Sequence, residues 1–268
     1  MAEKSTFGLD AAFAKSIDWD LAVARIKSDV RSDFILAPHL SCVYQDASSE
    51  LVGDVQGLLA AGKFSPQLPI TMDIPKKQRI RLFGLKRQAP NFVRTGGILF
   101  PTERLVYQAI ADVAQPIMEK KLNRAICFSH QPADAKNAAR MFKPSRECWT
   151  GLQGRLRDLT KNAGSSIVLK ADVASYFMSV NQHTLVNTLD YTGFPNELKK
   201  PLEAMLVQMS TGRSSRGLLQ GIYPSDLLGN FYLYPLDRYL ADSKMPSARY
   251  VDDIYVFLEL ARQNETRV

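Results

Sequence analysis

Three aspartates carry the chemistry most open to interpretation in this 268-residue chain. Asp252 and Asp253 stand side by side in Arg249-Tyr250-Val251-Asp252-Asp253-Ile254-Tyr255-Val256-Phe257. Asp172 closes the short apolar run 167–171. The arms around the Asp pair are aromatic and β-branched, which predicts two strands with the aspartates as the tight turn between them. Burying such a hairpin forces two negative charges together, at a cost that cations must offset. Each feature also has a plain structural explanation. The Asp pair alone would serve as an acidic hairpin turn, and a lone Asp at a strand end often caps the following helix.

The elements that must position these residues follow from the rest of the chain. Hydrophobic residues make up 46% of it, enough to support a real core in one large domain or two modest ones. A formal charge of +7 favours a polyanionic partner. Cys42, Cys127 and Cys148 are far apart and form no metal-spaced pair. An odd cysteine count and the lack of an apolar leader segment point to reduced thiols in a soluble, cytoplasmic protein without a membrane span.

Trp19, Leu21, Ala22, Ile26 and Val30, then Leu51, Val55, Leu58 and Leu59, recur at helical steps and predict an N-terminal helical layer. The segment 33–39 ends at a proline and reads as a connector, with His39 a satisfied structural histidine. Residues 76–104 then set eight cations against one anion: Lys76, Lys77, Arg79, Arg81, Lys86, Arg87, Arg94 and Arg104 against Glu103. Alternation in Arg79-Ile80-Arg81-Leu82 suggests strands with one charged face. That excess is more than an edge strand needs for solubility and favours a surface that meets phosphates. A helix is expected over 102–122, with Thr102 as N-cap and Leu105, Val106, Ala109, Ile110 and Val113 in its apolar stripe. Residues 123–150 read as mostly irregular, and His130 has no evident partner. Helices are expected around Leu152–Leu159, 181–190 and 197–209, with His183 exposed. Another starts at Ser225 and is bent near Pro235. The small-residue loop 211–221 would let backbone approach a ligand closely.

In order, these blocks resemble a reverse transcriptase. The strand ending in Asp172 with Phe177 five residues on, Gly217-Leu218-Leu219-Gln220-Gly221 leading into a helix with Asn230, and Tyr250-Val251-Asp252-Asp253 resemble the three sequence motifs of its palm. Arg94 and Phe100-Pro101-Thr102-Glu103-Arg104 through Ala109 resemble the fingers motifs of bacterial members. The likeness spans about residues 70–258. Leu219 and Ile222-Tyr223 depart from the Pro-containing second block of many bacterial members. In this they resemble the abortive-infection and defence-associated enzymes, some of which synthesise DNA without conventional templating.

The resemblance implies a mixed α/β (α+β) palm, an antiparallel sheet backed by helices, carrying the Asp-Asp hairpin. It implies a helical region over 1–62, fingers over 63–164 and palm over 165–268, with no segment for the thumb. Asp172 and Asp252 would hold two divalent metals, Mg²⁺ or Mn²⁺, helped by the Val173 carbonyl, with Asp253 in a lesser part. Arg94 would grip the triphosphate and Phe177 would exclude a ribose 2′-hydroxyl. Gln220 and Gly221 would border the nascent base pair, Tyr250 the primer end, and Lys76 to Arg87 the nucleic-acid backbone. The implied activity is RNA-directed DNA polymerisation in bacterial antiviral defence, using an RNA template, a DNA or other primer and deoxynucleoside triphosphates. Alternatives are template-independent DNA synthesis, RNA-directed RNA synthesis, which Phe177 opposes, or a silent nucleic-acid-binding module, which the intact aspartates oppose. Residues 261–268 are polar. An exposed apolar strand is therefore expected near 254–260, to be covered by a longer chain, a partner or a second copy.

Overall fold

The computed structural model describes residues 8–33, 35–75, 93–162, 166–210 and 215–259. Helices α1 (Ala11–Ser16), α2 (Trp19–Asp29), α3 (Pro38–Asp46) and α4 (Ser48–Ala60) open the chain. Asp10 and Asp18 start the first two by accepting from backbone N–H groups of the first turn. Helix α3 replaces the expected connector. Pro38 begins it rather than ending a segment, because proline in the first turn forfeits no intrahelical bond. His39 is therefore exposed at a helix start.

Strands β1 (Ile70–Pro75) and β2 (Val93–Ile98) pair antiparallel from Ile70↔Ile98 to Pro75↔Val93. Lys76, Lys77, Arg79, Arg81, Lys86 and Arg87 lie outside the described residues. Helix α5 (Pro101–Glu119) is the central strut and buries Leu105, Val106, Ala109, Ile110, Ala114 and Met118. Its N-cap is Phe100 with Pro101 in the first turn, so Thr102 does not cap it. The Thr102 hydroxyl donates instead to the Glu103 carboxylate. Arg104 also departs from its expected place in a phosphate-facing surface. Buried on α5, it binds Asp29 at 2.9 Å and Asp33 at 2.6 Å, tying the N-terminal helices to the strut.

After α6 (Ser145–Asn162) come β3 (Ser166–Asp172), α7 (Tyr176–Ser179), α8 (Gln182–Leu189) and α9 (Asn196–Met209). Helices α10 (Tyr223–Tyr232) and α11 (Tyr234–Asp242) then lead to β4 (Ser247–Tyr250) and β5 (Asp253–Glu259). The break between α10 and α11 falls at Leu233, two residues before Pro235, which sits in the first turn of α11. The second sheet has the order β3-β5-β4, antiparallel throughout.

One apolar cluster runs from Leu9 through α5 to Phe231, and a smaller one joins Ile126, Leu240, Ile254 and Val256 beneath the hairpin. Of the stretch 254–260 expected to be exposed, Ile254, Val256 and Phe257 are buried, Leu258 is 41% exposed and residue 260 lies outside the described residues. β5 is central but flanked on both sides only over 253–256, and edge strand β3 leaves Ile167, Val168 and Leu169 about half exposed. Among the described residues no helix is long and apolar enough to cross a membrane.

Candidate active site

The register of the second sheet brings the aspartates together. Asp172 ends β3 directly opposite Asp253, the first residue of β5, and Tyr250 ends β4 on the other side of Asp253. Opposite partners on adjacent strands share a face, with Cβ atoms roughly 4.5–5.5 Å apart. The turn itself is Val251-Asp252, not the Asp pair, so Asp253 belongs to the strand. Val251 holds a φ of 54°, the left-handed region in which a β-branched residue is strained.

A buried polar network holds that strained turn. Ser129 Oγ accepts from the Val251 N–H at 2.9 Å, and Arg249 Nη1 donates to the Val251 carbonyl at 3.1 Å. Arg249 is wholly buried and bonds Asp237 through Nε at 2.5 Å and Nη2 at 2.7 Å. It also donates to the Asn230 side chain and carbonyl, and Asn230 in turn accepts from Ser129. Sequence reasoning quoted Arg249 and Asn230 without assigning this role. A buried arginine needs a buried carboxylate, and nothing local marks Asp237, twelve residues upstream, as that partner.

A single cleft of about 1590 Å³ is lined by Asp172, Val173, Asp252 and Asp253, and by Arg94, Phe177, Gln220, Gly221 and Tyr250. Apart from Arg104, every sequence-predicted site residue within the described segments therefore meets one cavity. Burial pushes the Asp252 carboxyl above the usual carboxylate range, the negative charges of Asp172 and Asp253 push it further, and Arg94 opposes them. Asp253 is turned towards Lys170, whose Nζ lies 3.1 Å from Oδ1 and over the Tyr255 ring. Among the described residues no three His, Cys, Asp or Glu side chains stand as a ready metal-binding group. The donor chemistry nonetheless fits a hard divalent cation, because Asp172, Asp252 and Asp253 bring carboxylate oxygens to one cleft.

The Gln220 loop is pinned from two sides. Gln220 bridges to Gly96 of β2, and Leu219 lies where a Cβ on Gly97 would meet it at 2.3 Å, so Gly97 permits the approach. On the other side Asp29 of α2 accepts from the Tyr223 N–H at 2.9 Å, capping α10 from a distant part of the chain. Tyr250 donates to the Ser145 carbonyl at 3.1 Å and meets Trp149 edge-on.

His130 also lines the cleft, with Nε2 3.7 Å from Asp226 Oδ2 and its ring tilted on Phe142. Burial, then the charges of Arg249 and Arg124, lower its pKa to about 3, so the imidazole is neutral. This pairing had no signal in the sequence. His183, expected exposed, is exposed and pairs with Glu203.

Phe177 forms part of the floor, 8% exposed, beneath α10. A Cβ on Gly229 would come within 2.9 Å of its ring. Gly229→Ala is therefore expected to displace the ring and to alter nucleotide use, costing about 1–3 kcal/mol of stability as overpacking does. Steady-state nucleotide KM beside thermal melting would check it, an unchanged KM being the contrary result.

Residues 111–267, more than half of the chain, match the model of the family described as Reverse transcriptase (RNA-dependent DNA polymerase). The match contains all three aspartates, Phe177 and Gln220, and begins downstream of Arg94. No curated protein sequence matches the chain. With its motif-bearing elements gathered on one cleft, and with this match over more than half its length, the chain belongs to the reverse transcriptase family, a family of nucleotidyltransferase-type polymerases.

Proposed function

We propose that this chain is an RNA-directed DNA polymerase whose chemistry is centred on Asp172, Asp252 and Asp253. The observation that carries the reading is the meeting of three carboxylates from two strands and a turn with Arg94 on one cleft. Divalent cations, when bound, would neutralise the charge that develops on the attacking and leaving oxygens. Asp172 and Asp252 are assigned to hold them, with the Val173 carbonyl beside Asp172 and Asp253 in a supporting part. Arg94 orients the triphosphate through its planar fork of donors. Gln220 and Gly221 border the nascent pair, where the Gly221 φ of 92° brings backbone rather than a side chain to the cleft. Tyr250 lies beside the primer terminus. Template and primer are nucleic acid strands and the substrates deoxynucleoside triphosphates. The departures at Leu219 and Ile222-Tyr223 resemble those of defence-associated enzymes, which supports antiviral defence as the proposed setting.

The decisive experiment is incorporation of labelled nucleotides by the full chain, with and without an RNA template, comparing deoxy- with ribonucleotides. RNA-dependent deoxynucleotide incorporation is expected. Template-free synthesis would replace the reading with untemplated DNA polymerisation, and ribonucleotide preference with RNA polymerisation. Phe177→Ala is expected to relax sugar discrimination by roughly 10- to 100-fold, because a hydrophobic wall that rejects one hydroxyl is worth about that much. Its melting temperature should fall as the floor loses a buried ring. Competition between the two nucleotide types measures the first effect, and unchanged discrimination in the folded variant would refute the gate.

A further inference from the structure

The cleft is larger than one nucleotide requires, and part of its wall carries charge that the proposed chemistry leaves unused. Its volume of about 1590 Å³ exceeds the roughly 300–1,000 Å³ usual for small-molecule pockets. Helix α2 contributes Ala24, Lys27 and Ser28 to the lining, and the turn after it adds Arg31. That spacing is one face of a helix, while Trp19, Ala22, Val23 and Ile26 bury the other face in the core.

Two residues of α2 fix this orientation. Arg25 binds Asp112 of α5 at 2.6 Å and the Ala138 carbonyl at 3.2 Å, and Asp29 binds Arg104 and the Tyr223 N–H. The Ala138 bond brings the following segment alongside, and Arg140 from it also lines the cleft. Lys27, Arg31 and Arg140 have no ion-pair partner among the described residues. Nearby Lys143, by contrast, is held by Glu147 at 3.3 Å. Cations on the cleft wall that no carboxylate pairs suit a polyanion, although Asp172, Asp226, Asp252 and Asp253 line the same cavity. Tyr223 and Phe142, edge to face at 5.4 Å, line the same wall. Aromatic rings set among cations suit a single strand, whose bases stack while its phosphates are gripped. A free triphosphate needs no such rings.

We propose that the cleft-facing side of α2 and the turn after it, through Lys27 and Arg31 with Arg140 beside them, is a second phosphate-binding surface that holds the backbone of a single nucleic-acid strand, with Tyr223 offering a face to one base. This rests on the polymerase reading of the cleft and adds an N-terminal element that the family match does not reach.

The test measures binding of a fluorescent single-stranded oligonucleotide, RNA or DNA, to the full chain by anisotropy at several salt concentrations, without metal or nucleotide. Lys27→Gln/Arg31→Gln/Arg140→Gln should weaken binding roughly tenfold or more. It should also lower the slope of log K against log salt by about 2, at ~0.7 per phosphate contact on a single strand. Arg31→Glu alone, at an exposed position, should weaken binding in the same direction. Lys15→Gln, on the exposed side of α1, should change neither quantity. Unchanged affinity and slope in variants that melt like the wild type would overturn the proposal. So would unchanged strand binding with weakened binding of a fluorescent deoxynucleoside triphosphate, which would assign these cations to the nucleotide. Failure of the polymerase reading looks different: the wild type incorporates nothing, yet strand binding still depends on the three cations.

Discussion

Asp252→Asn is expected to reduce nucleotide incorporation by roughly a thousandfold or more, since a metal clamp supplies several kcal/mol of transition-state stabilisation and each 1.4 kcal/mol is tenfold. The substitution keeps shape and removes charge, so the turn should stay folded. Asp252 is half-buried, with its carboxyl raised by burial and by Asp172 and Asp253. Removing its charge relieves that crowding, and the variant should melt at or slightly above the wild-type temperature. A strand of phosphates should bind it as well as or better than before. Single-turnover extension beside anisotropy titration separates the two effects. Incorporation within about tenfold of wild type would sink the assignment of Asp252 as a metal ligand.

Period and punctuation made most of the elements legible. Helix α8 starts where Asn181 accepts from the Thr184 N–H, and α6 spans the expected leucine stripe. The strand ending at Asp172 was readable because a short apolar run stops at a charge, and its pairing with β5 places that charge opposite Asp253. Helix α3 was hidden because proline signals a stop and a first-turn start alike. Which strand would be exposed was also hidden. Local hydrophobicity is similar in 167–171 and 254–258, and only the sheet order makes one an edge and the other central. Within the site, the residues proposed to contact a ligand lie in short motifs and could be named. Those that hold the motifs in place could not. Asp29 reaches Tyr223 across 194 residues and Ser129 reaches Val251 across 122, and such pairings leave no local pattern.

Arg249 is where that hidden support is concentrated, and its loss should separate folding from activity. Arg249→Met would leave Asp237 buried without its counter-charge, which costs about 3–5 kcal/mol. Denaturant unfolding should read that loss directly. Arg249→Met/Asp237→Leu removes both charges and should recover much of the stability, because a buried pair replaced by apolar side chains is often neutral or better. Incorporation should not recover with it. The Val251 carbonyl would still lack its donor from Nη1, and Asn230 would lose two further bonds. A left-handed valine costs of order 1–3 kcal/mol and persists only where its surroundings impose it. With one of its two polar restraints gone, the turn is expected to relax and carry Asp252 off its place beside Asp172 in the cleft, leaving a folded chain with incorporation reduced by roughly a hundredfold. A double variant as active as the wild type would show that the Ser129 bond alone is enough to hold the turn.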